Sequence, residues 1–504
     1  MDHFNSQYNE SELVIGLIGT VGTDLAKVEE AIKKRLEHTG YEVISIRVSS
    51  DIIPFIVDVS EAVTEAERIS LLMDAGDEAR KVSGDNSILA TAAAALIGQK
   101  RGKDAEGHPQ QRGKTAYIIN SLKHPDEVHR LRQIYPLGFY VISVHCDHQL
   151  RLERLTEEMK VTEDSALAFM KREEEEKEGE EYGQSPVAAF HLADFFIRVG
   201  DSERELKRTI WRIVEILFGD PYKTPTFDEY AMFLAFASAL RSADLSRQVG
   251  AVLARNNEIL ASGANDCPKY GGGLYWPVFD FSKGDYADTP HGRDYTRGFD
   301  SNKAEQAEII NRLTEKLTAQ GMDETIVRET LESSQIRDLT EYGRVVHAEM
   351  EALLCCSRNS ISARGSTLYC TTFPCHNCAK HIIAAGVERV VYIEPYPKSK
   401  AGKFHGDSIS MGFTDDQEHV HFEPFVGVGP RRFFDLFSMG LGSGYPLKRK
   451  AKDGSILDSK LKDSSLRIQM RPGSYLDMES AAASHYAGLL EKLKKGSGEN
   501  ETGV

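Results

Sequence analysis

The sequence predicts an α/β protein built from two domains. With 504 residues, the chain is long enough for two or three domains that each bury a core. In the first half, short apolar runs alternate with helical segments, which is typical of a parallel sheet. The segment GDPYKTPT at 219–226 carries two prolines and a glycine and marks a boundary. We therefore expect domains at 1–220 and 225–485 and a disordered tail at 486–504.

Five apolar runs predict the strands of the first domain: 13–18, 41–48, 116–120, 139–144 and 195–199. The first run leads into GTVGTD and then into a helical segment at 25–36. A further helix is predicted at 203–218. The acidic run KREEEEKEGEE at 171–181 favours a solvated helix or a mobile flap.

The second domain begins with a predicted helix at 227–240. Residues 249–265 then predict a hairpin that turns at Asn256 and Asn257. An irregular insert rich in Gly, Tyr, Trp and Asp follows to about residue 299, and a helical pair extends to about 339. The rest of the pattern alternates helix and strand: HAEMEALLCC, STLYCTTF, CHNCAKHIIAAG and VERVVYI.

Composition and charge exclude several classes of protein. The net charge of −16 disfavours binding along a polyanion, and the one short basic cluster, LKRKAKD, is typical of a solvated loop. The polar N-terminus does not resemble a signal peptide, and no apolar run is long enough for a membrane span. We therefore expect a cytoplasmic protein with no membrane partner. The 7 cysteines, an odd number, argue against a disulfide framework.

Two of these cysteines stand three apart in the segment TTFPCHNCAKHIIAA. Such a pair could be a disulfide, a redox pair, half of a metal site or core packing. Upstream, the chain carries His347 and Glu349 in HAEM, and a strand separates that motif from Cys375 and Cys378. The order His-x-Glu and then Pro-Cys-x-x-Cys is the signature of zinc-dependent nucleobase deaminases. One imidazole and two thiolates suit a catalytic zinc, which keeps three protein ligands and leaves one position for water.

Glu349 is the predicted proton carrier of this site. Zinc lowers the pKa of bound water to about 7, but deamination also needs a proton at the ring nitrogen and at the departing ammonia. A carboxylate two residues from a metal ligand can take a proton from the water and deliver it to each of these nitrogens. A structural zinc site would need a fourth ligand, for which Cys356, Cys370, His376 and His381 are the alternatives. We expect core thiols at Cys355, Cys356 and Cys370, and surface or packing roles for the two histidines.

The segments VGAVLARNNEILASGAND, VVHAEMEALL and STLYCTTFPCHNCAKHIIAAGVERVVYIEPYPKS resemble the deoxycytidylate deaminase branch of the cytidine deaminase superfamily. The resemblance spans most of 227–400. It implies a three-layer α/β/α domain around a mixed five-stranded sheet, with one Zn²⁺ per chain. It also implies that Asn265 contacts the sugar of the substrate. The chain departs from this pattern at Glu351, where the monophosphate deaminases usually carry asparagine.

The layout of the whole chain resembles the bacterial anti-phage dCTP deaminases, in which a degenerate nucleoside-phosphate-kinase domain precedes the deaminase domain. That resemblance implies hydrolysis of dCTP and dCMP to the uracil nucleotides and depletion of dCTP during phage replication. It further implies a homo-oligomer and a small inhibitory RNA. The trimeric, zinc-free dCTP deaminases are different proteins, because they lack both motifs.

The N-terminal domain departs from a working P-loop, GxxxxGK[ST]. Alignment on Gly22 puts Leu17 at the first glycine, Thr23 at the lysine and Asp24 at the hydroxyl position. Gly19, Gly22 and Thr23 could still bind a phosphate through backbone amides. We expect no phosphoryl transfer. A sensor of a regulatory nucleotide and a scaffold with an empty site both remain open.

Four basic residues are candidates for the substrate phosphates: Lys398, Lys400, Lys403 and Arg247. A solvated basic side chain is the alternative for each. Two further functions remain open for the chain. One is a deaminase of cytosine or adenine in polymeric nucleic acid, which would need stacking and basic residues along a groove. The other is a nucleotide-sensing binding protein with a vestigial zinc site.

Overall fold

The computed structural model describes residues 11–103, 110–174, 182–200, 202–339, 341–396, 399–412, 418–470, 475–476, 479–480, 482–488 and 490. Three predicted features lie wholly or partly outside these residues: Lys398, positions 175–181 of the acidic run, and most of the predicted tail.

Within the described residues the structure has fourteen strands. In chain order they are β1 (Leu13–Gly19), β2 (Glu42–Arg47), β3 (Thr115–Leu122), β4 (Phe139–Cys146), β5 (Phe195–Val199), β6 (Gly250–Arg255), β7 (Glu258–Ala264), β8 (Val278–Asp280), β9 (Asp285–Ala287), β10 (Thr367–Thr372), β11 (Arg389–Glu394), β12 (Ile409–Met411), β13 (Val420–Pro424) and β14 (Gly427–Val428).

The α-helices of the described residues are α1 (Leu25–Glu37), α2 (Val48–Asp51), α3 (Glu65–Ser83), α4 (Ile88–Arg101), α5 (Pro125–Ile134), α6 (His148–Glu153), α7 (Glu163–Glu174), α8 (Pro186–Phe190), α9 (Glu203–Leu217), α10 (Phe227–Ala239), α11 (Asp294–Arg297), α12 (Ser301–Thr318), α13 (Glu324–Glu332), α14 (Ala348–Arg358), α15 (His376–Ala384), α16 (Ala401–Phe404) and α17 (Pro430–Phe437). Short 3-10 turns lie at Ile53–Phe55, Gln335–Asp338 and Leu461–Asp463, and a π-turn lies at Arg154–Glu158.

The chain divides into two compact units. The first unit comprises Met1–Tyr230, Ile393–Pro397 and Pro424–Val504, and the second comprises Ala231–Tyr392 and Lys398–Glu423. Each is an α/β structure. The sequence assigns residues 424–485 to the deaminase domain, whereas the structure groups Pro424–Val504 with the first unit.

The first unit is built on a sheet in the order β14-β5-β4-β1-β3-β2. The strands β2, β3, β1, β4 and β5 run parallel, and β14 joins β5 antiparallel. The predicted parallel sheet is therefore confirmed. All seven residues of β1 are buried, as expected for a central parallel strand that is covered on both faces.

One face of this sheet carries a large core. Leu13, Ile15 and Leu17 of β1 pack in one cluster with apolar residues of α1 and α9. The helix α9 presents Leu206, Ile210, Ile213, Val214 and Leu217 to that core. Three further helices also contact the sheet: α8 contacts β1, α5 contacts β4 and α4 contacts β3.

The second unit contains a mixed sheet in the order β12-β13-β11-β10-β6-β7. β6 runs antiparallel to both β7 and β10, and β12 runs parallel to β13. The resemblance predicts five strands, but the sheet has six among the described residues because the three-residue strand β12 adds to one edge. The predicted hairpin turns at Asn256 and Asn257, whose φ angles of 54° and 60° are in the left-handed region.

Helices lie on both faces of this second sheet. Ala251 pairs with Gly263, and Gly250 pairs with Ala264, so the two glycines point to opposite faces. A Cβ on Gly250 would meet the backbone of α10 at Ala235, and one on Gly263 would meet the backbone of α14 at Ala348. These glycines allow close approach of α10 on one face and α14 on the other.

The described residues contain no helix that combines the length and the apolar composition needed to cross a membrane.

Candidate metal centre

The side chains of His347, Cys375 and Cys378 come together in the second unit. His347 is the N-cap of α14, and Cys375 is the N-cap of α15. The strand β10 lies between these two helices in the chain. The ligand atoms of the three residues all lie within 4.8 Å of one another, and no other such group of His, Cys, Asp or Glu occurs in the described residues.

The distances in this cluster suit a tetrahedral zinc ion. Nδ1 of His347 lies 3.4 Å from Sγ of Cys375 and 3.3 Å from Sγ of Cys378. Typical Zn–S and Zn–N bonds at a tetrahedral angle separate such atoms by roughly 3.5 Å. The donor set of two thiols and one imidazole therefore fits Zn²⁺ in both chemistry and spacing.

Hydrogen bonds within the cluster set its protonation. A hydrogen bond from Cys378 lowers the pKa of the Cys375 thiol to about 3, and His347 contributes to the decrease. The pKa of Cys378 is raised well above its ordinary value, because Cys378 donates that bond and is buried. The bond with Cys375 raises the pKa of His347 to about 9. Zinc ligands bind as thiolates and neutral imidazole, so metal binding releases the remaining protons.

Glu349 lies in the first turn of α14, two residues after His347, and is 4% exposed. Burial raises the pKa of Glu349, while the imidazole of His347 opposes the increase. A buried carboxyl beside a metal ligand is suited to accept and return a proton, because burial brings its two protonation states closer in free energy.

The four alternative ligands do not join the cluster. Cys370 is fully buried and its Sγ lies 3.7 Å from the carbonyl oxygen of Val391. Cys356 is buried in the core of the second unit, and the ring of His376 contacts Phe404 edge-on. His381 is exposed. All seven cysteines, each of them within the described residues, are free of disulfide bonds.

Asn265 ends the hairpin and is 5% exposed. Its Nδ2 donates to the carbonyl of Arg247 (2.8 Å), and its Oδ1 accepts from the backbone amide of Val249 (2.7 Å). The hydroxyl of Ser242 donates to the backbone carbonyl of Asn265. The amide of Asn265 thus holds the segment 242–249, which we call the α10–β6 loop.

Asp244, on the α10–β6 loop, is a part of the site that the sequence analysis missed. Its carboxylate lies close enough to His347 to favour the charged imidazole. Asp244 Oδ1 also accepts hydrogen bonds from the backbone amides of Ser246 and Arg247, which gives the loop a tight turn. The only signal in the sequence is the Asp-x-Ser-Arg pattern typical of such turns.

Two of the basic candidates, Arg247 and Lys400, stand on loops, and Lys403 lies in α16. Arg247 is exposed on the α10–β6 loop. Lys400 and Lys403 are also exposed, and the neighbouring Ser399 donates a hydrogen bond to the carbonyl of Pro374, directly before Cys375. No described contact assigns these three side chains to a phosphate.

Glu351 does not belong to the metal cluster. Its carboxylate pairs with Arg358 at 2.5 Å and is 7% exposed. Glu351 instead lines a cavity of about 380 Å³ next to β7, together with Arg241 and Trp276. The side chain of Arg241 stacks on Trp276 at 3.6 Å. The ion pair with Arg358 therefore neutralises the negative charge of Glu351, the residue at which the chain departs from the usual pattern.

Gly19, Gly22 and Thr23 lie in the first unit: Gly19 ends β1, and Gly22 and Thr23 lie in the turn between β1 and α1. Gly22 has a φ of 84°, and a Cβ there would meet the backbone of Arg151. These residues therefore form a separate feature from the metal cluster of the second unit.

Comparison with known proteins identifies the family. The model of the cytidine and deoxycytidylate deaminase zinc-binding region matches residues 225–394, which include all three ligands and Glu349. The deoxycytidylate deaminase of Enterobacteria phage T4 is 30% identical over 169 residues, which are 34% of this chain and 78% of that protein. The chain belongs to the cytidine and deoxycytidylate deaminase family. A deaminase zinc-binding region thus lies at residues 225–394, and the cluster of His347, Cys375 and Cys378 lies within it.

Solved structures give weaker likenesses. The dCMP deaminase of cyanophage S-TIM5 is 20% identical, and the match covers 40% of this chain and all of that chain with a TM-score of 0.22. A gluconokinase from Sinorhizobium meliloti 1021 is 15% identical, with 43% of this chain and all of that chain covered at a TM-score of 0.24.

Proposed function

We propose that this protein is a zinc-dependent hydrolase that converts dCMP to dUMP and releases ammonia. The observation that carries the proposal is the convergence of His347, Cys375 and Cys378 beside the buried Glu349. Membership of the deaminase family supports it, and so does the name of the phage T4 relative.

The chemistry follows from the positions of these side chains. Zn²⁺ held by His347, Cys375 and Cys378 would supply a water of lowered pKa. Glu349 would take one proton of the water that adds to C4 of cytosine and would deliver it to N3. It would then carry the second proton of that water to the amino group, so that the C4–N bond breaks, ammonia leaves and the C4 carbonyl of uracil forms. The amide of Asn265 holds the α10–β6 loop, which would lie against the sugar.

We extend the proposal to dCTP, which the same reaction converts to dUTP. The layout of two α/β units, with the deaminase second, supports a role in anti-phage defence through depletion of dCTP. Lys400, Lys403 and Arg247 have exposed side chains and are the candidates for binding the phosphate chain. The resemblance of the whole chain to the bacterial anti-phage dCTP deaminases also supports a homo-oligomer in the cytoplasm. It supports regulation of that oligomer by a nucleotide and a small RNA.

The test incubates zinc-loaded protein separately with dCMP, dCTP, CTP, cytidine and a single-stranded oligonucleotide, and follows uracil product and ammonia. Glu349→Ala should retain zinc and lose turnover about 10²- to 10⁴-fold, because the proton carrier is removed. The matched control is Glu258→Gln, which changes an exposed carboxylate of the same unit and should leave the rate unchanged.

Two results would contradict the dCMP deaminase, and a third would contradict only its extension to dCTP. Turnover of the oligonucleotide alone would favour a deaminase of polymeric nucleic acid, despite the net charge of −16. Absence of ammonia from every cytosine nucleotide would favour a binding protein with a vestigial site. Turnover of dCMP without dCTP would remove the dCTP and defence parts and leave the dCMP deaminase.

A further inference from the structure

The carboxyl edge of the parallel sheet in the first unit holds a second polar cluster. The strand β1 ends at Gly19 and leads into residues 20–24, which we call the glycine loop. Lys123 follows β3 at the same edge. Because β3 and β4 lie on opposite sides of β1, the chain changes direction around β1. Ligands of open α/β sheets bind in the crevice at such a point.

A carboxylate of the chain itself occupies this position. Glu173, in the last turn of α7, accepts a hydrogen bond from the backbone amide of Val21 at 2.5 Å. Its other oxygen accepts from Nζ of Lys123 at 2.7 Å, and the same Nζ donates to the carbonyl of Gly19 at 2.7 Å. The side chain of Glu173 is 1% exposed, so solvent does not screen these contacts.

Lys123 supplies the cation that the glycine loop lacks. The lysine of a P-loop follows its last glycine, but this chain has Thr23 there. In the structure the ammonium of Lys123, the residue after β3, lies at the start of the loop, on the carbonyl of Gly19. A backbone amide and a lysine are the groups that bind phosphate oxygens in such loops. Here both bind the carboxylate of Glu173.

Two arginines of the segment before α7 also contact the loop. Arg151 Nε donates to the carbonyl of Val21 at 2.9 Å, and Arg154 lies 3.4 Å from the carbonyl of Gly22. Arg154 also pairs with Asp24 at 3.2 Å. The segment 151–173 therefore places one carboxylate and two guanidinium groups around the loop.

We propose that Glu173 is an internal ligand that keeps the glycine loop closed, and that the phosphate chain of a nucleoside triphosphate competes with it for Val21 and Lys123. The proposal extends the regulatory-nucleotide part of the proposed function. It does not depend on deaminase activity, because its readouts are binding and hydrogen exchange.

The test measures binding of ATP and of inorganic tripolyphosphate to the full chain by calorimetry. If the loop is closed nine-tenths of the time, Glu173→Gln should bind ATP roughly tenfold more tightly than the wild type. Glu163→Gln, an exposed change in the first turn of the same helix, should leave the affinity unchanged. Lys123→Met in the Glu173→Gln background should abolish the increase in ATP affinity, which would show that ATP binds at the glycine loop.

Hydrogen exchange on the wild type provides a second measurement that needs no variant. Saturating ATP should increase exchange in the last turn of α7 and protect the amides of the glycine loop. Equal affinities of the wild type and Glu173→Gln, or exchange unchanged by ATP, would overturn the proposal and leave a structural ion pair. Tighter binding of tripolyphosphate without ATP would also overturn it, since the ligand would not be a nucleotide.

Discussion

Cys375 has two structural roles in the metal centre. Its sulfur caps α15 by accepting a hydrogen bond from the backbone amide of Cys378 at 3.4 Å, and it also faces Nδ1 of His347. The positive end of the α15 dipole favours the thiolate. The same sulfur therefore caps the start of α15 and places it beside the start of α14, where His347 stands.

Cys378→Ser should remove most of the bound zinc, because a neutral hydroxyl replaces a thiolate ligand. We expect close to one Zn²⁺ per chain in the wild type and a fraction of that in the variant, measured by atomic emission after dialysis. The matched control is Cys355→Ser, a half-buried thiol outside the cluster, which should keep its zinc. Equal metal content in the two variants would show that Cys378 is not a ligand.

Asn265→Asp tests the α10–β6 loop. The change keeps the acceptor for Val249 but puts a carboxylate against the carbonyl of Arg247 in place of a donor. We expect a loss of about 1–3 kcal/mol in the free energy of unfolding, measured with urea, and a higher KM for dCMP. Asn359→Asp changes an exposed amide and is the control. Unchanged KM and stability would contradict this role for Asn265.

The cluster of His347, Cys375 and Cys378 could be predicted from sequence because each motif that forms it spans only a few residues. The residues around them could not be predicted in this way. Asp244 acts on His347 from the α10–β6 loop about a hundred positions earlier, and the pairing of Glu351 with Arg358 depends on the turn of α14. No short pattern encodes either contact.

At the scale of elements, His347 caps the start of helix α14 and Glu349 lies in its first turn. The packing of α14 on the sheet therefore sets the positions of both side chains. Gly263 of β7 faces this helix. A Cβ at Gly263 would lie 2.1 Å from the carbonyl oxygen of Ala348 and 2.6 Å from the amide of Ala352. Both are backbone atoms that no rotamer change can move.

Gly263→Ala should therefore displace α14 and lower the free energy of unfolding by about 1–3 kcal/mol. We also expect weaker zinc binding, seen in a chelator competition, because His347 begins the displaced helix. Gly440→Ala is the control, since a Cβ there meets no atom within 4 Å. Zinc affinity that stays at the wild-type value would mean that α14 does not need this contact.

Regular elements followed from the sequence more closely than irregular ones. The apolar run 195–199 is the strand β5 in full, and 139–144 is part of the longer β4. The strand β14 has two residues and no periodicity, so its pairing with β5 depends on a contact across more than two hundred positions. Such a strand has no local signal.

At the scale of the whole molecule, the chain returns to its first unit near its end. Glu229 accepts hydrogen bonds from Arg212 and from the backbone amide of Val428. Arg432 pairs with Asp194 at 3.3 Å. The final segment, which begins at Pro424, thus completes the first unit. The boundary predicted at 219–226 from composition would assign this segment to the other domain.

A chain that ends at residue 423 should lose the folded first unit. Val428, Leu436, Leu466 and Ile468 lie in the core of that unit. Each buried side chain contributes about 1.5–3 kcal/mol, so their loss is comparable to the whole stability of a domain. The control ends at residue 490 and keeps every described residue.

Tryptophan fluorescence can follow this unit alone. The chain has 2 tryptophans, Trp211 in the first unit and Trp276 in the second. In a Trp276→Phe background, the melting of Trp211 fluorescence reports the first unit. A transition at the same temperature in the two truncated chains would show that the final segment does not complete this core.

The most direct test of the metal centre is X-ray absorption at the zinc edge of the loaded protein. The account predicts two sulfur neighbours at about 2.3 Å and two nitrogen or oxygen neighbours at about 2.0 Å, one of them from solvent. Three or four sulfur neighbours, or none, would contradict a site formed by His347, Cys375 and Cys378 with one open position.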